Sequence, residues 1–277
     1  MEGNQIENET PTPVSGLLDV IRRRRSVRKF EPGREIPREA LLSVIEAARW
    51  APSGANTQPW DFICVDDPST RESVREILQR QQARQRDDTG GTFPSVDKRY
   101  LQNTVAIVLV LGDRRWESCF PHATSPDRAD EYLENDANIF FSSMGAAVQN
   151  IQLATTALGL TSAWLSSGGE PECAAELRAL LGFPVSHRPY AIIPIGYPVA
   201  DERLRYRRPL EQMVHWNRYE PTKYRSQVLI DYYLSHLRAF ATYRGNERMD
   251  EWPDYEERAG PWKDAFTSPV TNPDGAL

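Results

Sequence analysis

Gly145 to Trp164 reads GAAVQNIQLATTALGLTSAW, and this stretch joins a helix to a strand. Its first part continues a helical pattern that begins at Ala129 and runs to Leu158. Gly159 stands where a helix C-cap favours glycine, because the left-handed conformation there costs it no Cβ clash. Thr161 to Leu165 then reads as a strand. The middle of the helix is apolar nearly all round, so it must be covered on every side, which predicts that part of it packs against a second subunit.

Ahead of that helix, Val105 to Leu111 reads as a buried strand and Asp61 to Val65 as another, with a polar amphipathic helix over Ser69 to Arg86 and a loop over Asp87 to Val96 between them. Nearer the N-terminus, Gly16 to Arg24 carries Leu17, Leu18 and Ile21 on one helical face and ends in Arg22 to Arg25, cations that suit the C-terminal end of a helix dipole. A second helix opens at Ile36-Pro37, with proline fitting the first turn, and stops before Pro52. On the other side of the central helix, Pro171 to Leu181 reads as a helix and Tyr190 to Ile195 as a strand. Gly112 to Pro126 is a loop. The elements do not alternate strictly as βαβ, so the fold class is α+β. From Glu211 the composition turns aromatic and charged, with a helix expected over Thr222 to Tyr243 and a tail to Leu277. Residues 1–13, polar and acidic, read as an arm lacking the features of a signal peptide, residues 14–216 as the main domain and 217–277 as an extension draped over the body or a partner.

With 277 residues, 40% of them apolar and 26% charged, the chain is long enough to bury a full core. Its net charge of −6 argues against a general nucleic-acid or membrane-surface binder, since both functions lean on a basic face. The longest apolar run, Val105 to Leu111, is too short to span a bilayer. Cys64, Cys119 and Cys173 are odd in number, widely spaced and without histidines at ligand spacing, so no metal is expected and a reducing, cytoplasmic setting is.

Two segments carry chemistry. Arg24-Arg25-Ser26-Val27-Arg28-Lys29-Phe30 places guanidinium groups and a hydroxyl in one short turn, a clamp suited to phosphates and carbonyls, although a solvated basic helix end has the same pattern. Ala51-Pro52-Ser53-Gly54-Ala55-Asn56-Thr57-Gln58-Pro59-Trp60 is a proline-bracketed loop that can present amides and the Ser53 and Asn56 side chains to a planar polar ligand, or be an ordinary connection. Trp60 fits the core beneath that loop, while Trp50, His122 and His215 read as packed or surface residues.

Together and in this order, the two segments resemble the nitroreductase superfamily, which opens with an R-R-S-x-R turn followed by an A-P-S-x-x-N-x-Q-P-W loop. Gly145–Trp164 looks like that family's dimer helix and the strand beneath the flavin, Pro194-Ile195-Gly196-Tyr197-Pro198 resembles its late strand end, and Arg207-Arg208-Pro209-Leu210-Glu211 its closing signature. The resemblance covers Gly16 to Trp216. It implies a three-layer fold with a central mixed or antiparallel sheet flanked by helices, an intertwined homodimer, and FMN bound between subunits. Arg24, Arg25, Ser26 and Arg207 would meet the FMN phosphate and ribityl chain, and Arg28 the N1 and C2 carbonyl. Ser53, Gly54, Ala55 and Asn56 would line the flavin from the partner. Trp164, Leu165 and Ser166 would run past its edge, with Ser166 where deiodinase-like members place a threonine hydroxyl on N5, a contact that in those members favours the one-electron flavin state. Three extra residues around Gly168 to Glu170 depart from the pattern.

The implied activity is ping-pong transfer of reducing equivalents from NAD(P)H through FMN to a nitroaromatic, quinone, enone or halophenol, the acceptor being selected by Leu78–Tyr100 and Gly112–Arg128. Without a G-x-G-x-x-G fingerprint the nucleotide would stack directly on the flavin. The Glu, Tyr and Lys that hold an amino-acid zwitterion in deiodinase-like members have no counterpart at that spacing, which disfavours a halotyrosine. An oxidase-type or flavin-cleaving enzyme, or a non-catalytic flavin-binding accessory protein, is the alternative.

Overall fold

The computed structural model describes residues 13–89, 98–118, 129–200 and 207–237, and the chain divides into two compact units, 1–201 and 202–277. In the first unit, in chain order, α1 is Pro13–Arg23, α2 Arg38–Arg49, β1 Trp60–Val65, α3 Pro68–Asp88, β2 Ala106–Asp113, α4 Ala129–Ala157, β3 Thr161–Ser162, α5 Pro171–Leu181 and β4 His187–Gly196. The strands form one antiparallel sheet in the order β1-β2-β4-β3.

β2 explains the layering. All of its residues are buried, and a strand sends successive side chains to opposite faces. Ala106, Val108 and Val110 enter a core with Val44 and Ala48 of α2 and Met144, Val148 and Ile151 of α4. Ile107, Leu109 and Leu111 enter a second core with Val74, Ile77 and Leu78 of α3 and Leu177 of α5. The result is the expected three-layer α+β sandwich, with α2 and α4 on one face of the sheet and α3 and α5 on the other. After α4, the Leu160 amide bonds back to the Thr155 carbonyl at 3.0 Å across Gly159, whose φ is +71°. The Leu17, Leu18 and Ile21 stripe of α1 is exposed, as are Leu42, Trp50 and Phe141.

Several elements of the first unit depart from the sequence reading. β3 ends at Ser162 instead of Leu165. Its register continues, because the Ala163 amide donates to the Pro194 carbonyl at 3.3 Å and Leu165 pairs with Ile192. Pro194 has no N–H to return the bond, so the ladder is broken at that pair. β4 starts at His187 rather than Tyr190, since Val110 pairs with Ala191 but Leu111 with Pro189, leaving Tyr190 as the extra residue of a β-bulge. β2 runs on through Gly112 and Asp113, and a 3-10 turn at Arg114–Ser118 occupies the start of the expected loop. α3 likewise extends to Asp88; the rest of the expected 87–96 loop lies outside the described residues. The short segment after α1 adds a parallel bridge from Ser26 to Ser162, so the edge of the sheet is mixed.

In the second unit, 3-10 turns at Leu210–Gln212 and Pro221–Lys223 precede α6, Gln227–Tyr232, which passes into a π-type turn at Tyr233–Leu237. α6 begins later than Thr222 because Tyr224 and Ser226 are extended, with ψ of 132° and 162°. His215 is structural: its Nδ1 accepts from the Glu220 amide at 3.1 Å and its ring stacks on Tyr219. His122, Cys119 and residues 238–243 of the expected helix fall outside the described residues. Among the described residues no helix is long and apolar enough to cross a membrane.

Candidate active site

The extended segment after α1 lies along the edge left by β3. The Val27 amide donates to the Ser162 carbonyl at 3.0 Å, and the Glu31 amide to the Tyr197 carbonyl at 2.9 Å. This anchoring sets Arg28 beside Trp164, Leu165 and Ser166, and all four line one cavity of about 510 Å³. Arg24, Arg25 and Ser26 precede it on the same segment without lining the cavity. Arg25 Nη1 caps the end of α1, donating to the carbonyls of Arg22 and Arg24.

Arg28 is hydrogen-bonded to the Tyr100 phenol, whose pKa burial pushes up to about 12 against the pull of that guanidinium. Tyr100 therefore stays a neutral phenol throughout the physiological range. A second cation, Lys98, is buried at the cavity edge and donates to the Leu78 carbonyl at 3.2 Å, to Ser167 Oγ at 3.0 Å and to Gln81 Oε1. Burial lowers its pKa to about 8, with Cys173 and Glu170 opposing. The folded protein thus binds fewer protons here than the unfolded chain between pH 8 and the ordinary lysine value of 10.5, so this group's cost to stability is full below 8 and is relieved as pH rises. The stability of the wild-type protein relative to Lys98→Met is expected to increase between pH 8 and 10; parallel pH profiles in denaturant melts would contradict that.

An aromatic wall closes another side. The Phe141 and Tyr190 rings stack at 6.1 Å and 27°, Trp164 lies 6.1 Å from Tyr190, and Phe140 meets Phe141 edge-on at 5.3 Å. Arg188, Pro189 and Tyr190 are consecutive in β4 yet all line the cavity, which regular strand alternation forbids and the bulge at Tyr190 allows. Both segments expected to select the acceptor contribute: Gln85, Lys98 and Tyr100 from one, Gly112, Arg114 and Glu117 from the other.

The loop from Ser53 to Asn56 is built differently. Ala55, Asn56 and Gln58 all have positive φ, between 45° and 54°, a cluster of left-handed non-glycine residues of the kind that marks functional loops. Ser53 Oγ accepts from the Gln58 amide at 3.0 Å, and the Gly54 amide donates to Ser143 Oγ on α4 at 3.2 Å. The loop does not line the Arg28 cavity of its own chain. Arg207 belongs to the second unit. Trp60 is buried as expected, and Trp50 is a surface residue whose indole donates to Glu46 at 2.7 Å. Arg188, Tyr190 and the Phe140–Phe141 pair were not singled out by the sequence: Tyr190 opened the expected strand, the phenylalanines lay in the expected helix, and Arg188 lay before the strand. Pro189 inside an otherwise regular strand pattern was the available sign of a bulge.

Residues 21–197 match the sequence model described as the nitroreductase family. The chain belongs to that family. Among the curated relatives of this nitroreductase-family protein is iodotyrosine deiodinase 1 of Mus musculus, 29% identical over 204 residues, which make up 70% of this chain and 66% of the mouse protein. Among solved structures, a BluB-like flavoprotein from Clostridium difficile 630 is 25% identical with a TM-score of 0.59, covering 73% of this chain and 99% of the other. A putative nitroreductase in complex with FMN from Desulfovibrio desulfuricans is 26% identical with a TM-score of 0.50, covering 76% of this chain and all of the other.

Proposed function

We propose that this nitroreductase-family protein, a flavin-using oxidoreductase, holds FMN and passes reducing equivalents from NAD(P)H to a small organic acceptor. The observation that carries the reading is the convergence of Arg28, Tyr100 and the Trp164–Ser166 segment on one cavity of about 510 Å³. The residues present suit the cofactor. Arg28, half-buried and bonded only to a neutral phenol among the described residues, offers a cation to the N1 and C2 carbonyl edge, where reduction leaves negative charge. In this reading the phosphate and ribityl end extends past the cavity toward Arg24, Arg25 and Ser26 on the same segment, with Arg25 Nη1 kept for capping α1, and Ser166 would offer a hydroxyl toward N5. When bound, FMN supplies the electron transfer itself, so the protein's part is to position, to exclude water and to place charge.

The functional unit in this reading is a homodimer with two sites. A single chain brings Arg28 to its cavity but not the Ser53–Asn56 loop, and it leaves the α1 stripe, Leu42 and Trp50 open, apolar surface that a second copy would cover. The strained loop would then meet the flavin from the partner.

The test is the visible absorption spectrum of the purified protein, identification of the released chromophore by mass, and anaerobic addition of NADPH and NADH. Bound FMN that bleaches is the expected result. Bound FMN that stays oxidised would favour an oxidase-type or accessory role, and absence of flavin after reconstitution would overturn the reading.

A further inference from the structure

One charged group in the cavity is left without a role by the flavin assignment. Arg114 is neutralised by Glu117 through two hydrogen bonds of 2.9 and 2.8 Å, Lys98 is surrounded by oxygen acceptors, and Glu170 accepts from Gln81 at 2.5 Å. Arg188 differs. Its Nε donates to the Gly169 carbonyl, while among the described residues its two terminal nitrogens have no partner and no carboxylate pairs with it. Gly169 is itself fixed in place, since a Cβ there would lie 2.8 Å from the Pro189 carbonyl oxygen. The guanidinium is thus oriented from behind and open in front.

Beside it stands the aromatic wall. The bulge places Tyr190 in the cavity two residues from Arg188, and Tyr190 in turn stacks on Phe141 and is held by a hydrogen bond to the Phe141 carbonyl at 3.2 Å. A half-buried guanidinium without a counter-charge costs free energy that an anionic ligand would offset. An aromatic face at the same spot selects a ring.

We propose that the acceptor is an aromatic anion, a benzene ring bearing a carboxylate or an equivalent charge, with its ring on the Tyr190–Phe141 wall and its charge on Arg188. This rests on the flavin reading above. The phosphates of a nicotinamide nucleotide are anions too, so the test must separate the acceptor from the donor.

The holoprotein's flavin is reduced by light and EDTA, without any nucleotide, and its reoxidation is followed under anaerobic conditions with 4-nitrobenzoate or its neutral isostere 4-nitrobenzamide. In each case the nitro group takes two electrons and two protons to give nitroso and water. The two electrons and one proton come from the reduced flavin, which returns to the oxidised form, and the other proton comes from solvent. The wild-type protein is expected to favour the benzoate. Arg188→Gln should slow reoxidation by the benzoate roughly 10- to 100-fold, the range for loss of a charge-assisted hydrogen bond, and leave the benzamide within about twofold. Arg188→Lys should recover part of the difference. Equal rates for the two compounds in the wild type, or equal losses in the variant, would overturn the proposal. So would a defect confined to flavin reduction by NADPH or NADH, which would assign Arg188 to the donor. Absence of flavin from the wild-type protein would sink the cofactor reading itself, whereas flavin present without charge discrimination would sink only the role of Arg188.

Discussion

Arg28→Ala is expected to give a folded protein that binds FMN about 10- to 100-fold more weakly, the range for losing a hydrogen bond to a charged group in a partly enclosed site. The position supports a large effect on the cofactor and a small one on the fold. Its backbone neighbours do the anchoring, through the Val27 and Glu31 amides, while among the described residues the side chain is bonded only to the Tyr100 phenol and otherwise faces the cavity. Whatever FMN remains bound should also be reduced more slowly, because the negative charge that develops on the ring loses its cation. Arg28→Lys keeps the charge but not the planar fork, and should fall between the two. Fluorescence titration of FMN, a thermal melt and the rate of anaerobic bleaching by NADPH or NADH on the same sample measure affinity, stability and reduction. An unchanged affinity and reduction rate would remove Arg28 from the site.

A large stability effect is expected at Gly169. An alanine there would set its Cβ 2.8 Å from the Pro189 carbonyl, a backbone atom that cannot step aside without moving β4. Forced overpacking of this kind costs about 1–3 kcal/mol, and each kcal/mol lowers Tm by roughly 2–4 °C in a chain of this size. Gly168→Ala should destabilise as well, since its Cβ would press on Cδ1 and Cγ1 of Ile192, a fully buried β-branched side chain with little rotamer freedom. The Gly169 variant should also disturb the Arg188 guanidinium, whose rear hydrogen bond goes to the displaced residue. A Gly169→Ala protein as stable as the wild type would mean that the turn at Ser167–Gly169 is not seated on the strand.

The sequence was informative where single residues dictate backbone geometry. Pro171 and Gly182 bracket α5, and the expected span of Pro171 to Leu181 is the observed one. The unbroken apolar run of β2 could be read as central because only a strand covered on both faces tolerates it. The β3–β4 pair was harder. Thr161 to Leu165 has the composition of a strand throughout, and what interrupts it is a missing donor at Pro194, on a partner distant in sequence. The β4 start was hidden for a related reason, since Pro189 and an extra tyrosine spoil the period of 2 that signals a strand.

At the site, Arg28 and Trp164 to Ser166 were identified from the sequence and share one cavity, because the motif that names them also sets the edge pairing that gathers them. Arg188 could not be found this way, because it precedes the strand that the sequence shows and enters the cavity only through the earlier start of β4. Lys98 lies within the Leu78–Tyr100 segment but carries no signal of its own there; its burial against Gln81 and Ser167 is set by two other elements.

The bulge at Tyr190 separates two jobs that a regular strand would fuse. Residues on either side of it keep their partners on β2, so the ladder does not depend on what the extra residue is. Its side chain faces the cavity and can be exchanged without shifting any neighbour from one face of the sheet to the other. Selection acting on the choice of acceptor could therefore explore this position rapidly, while selection for a stable sheet remained indifferent to the outcome.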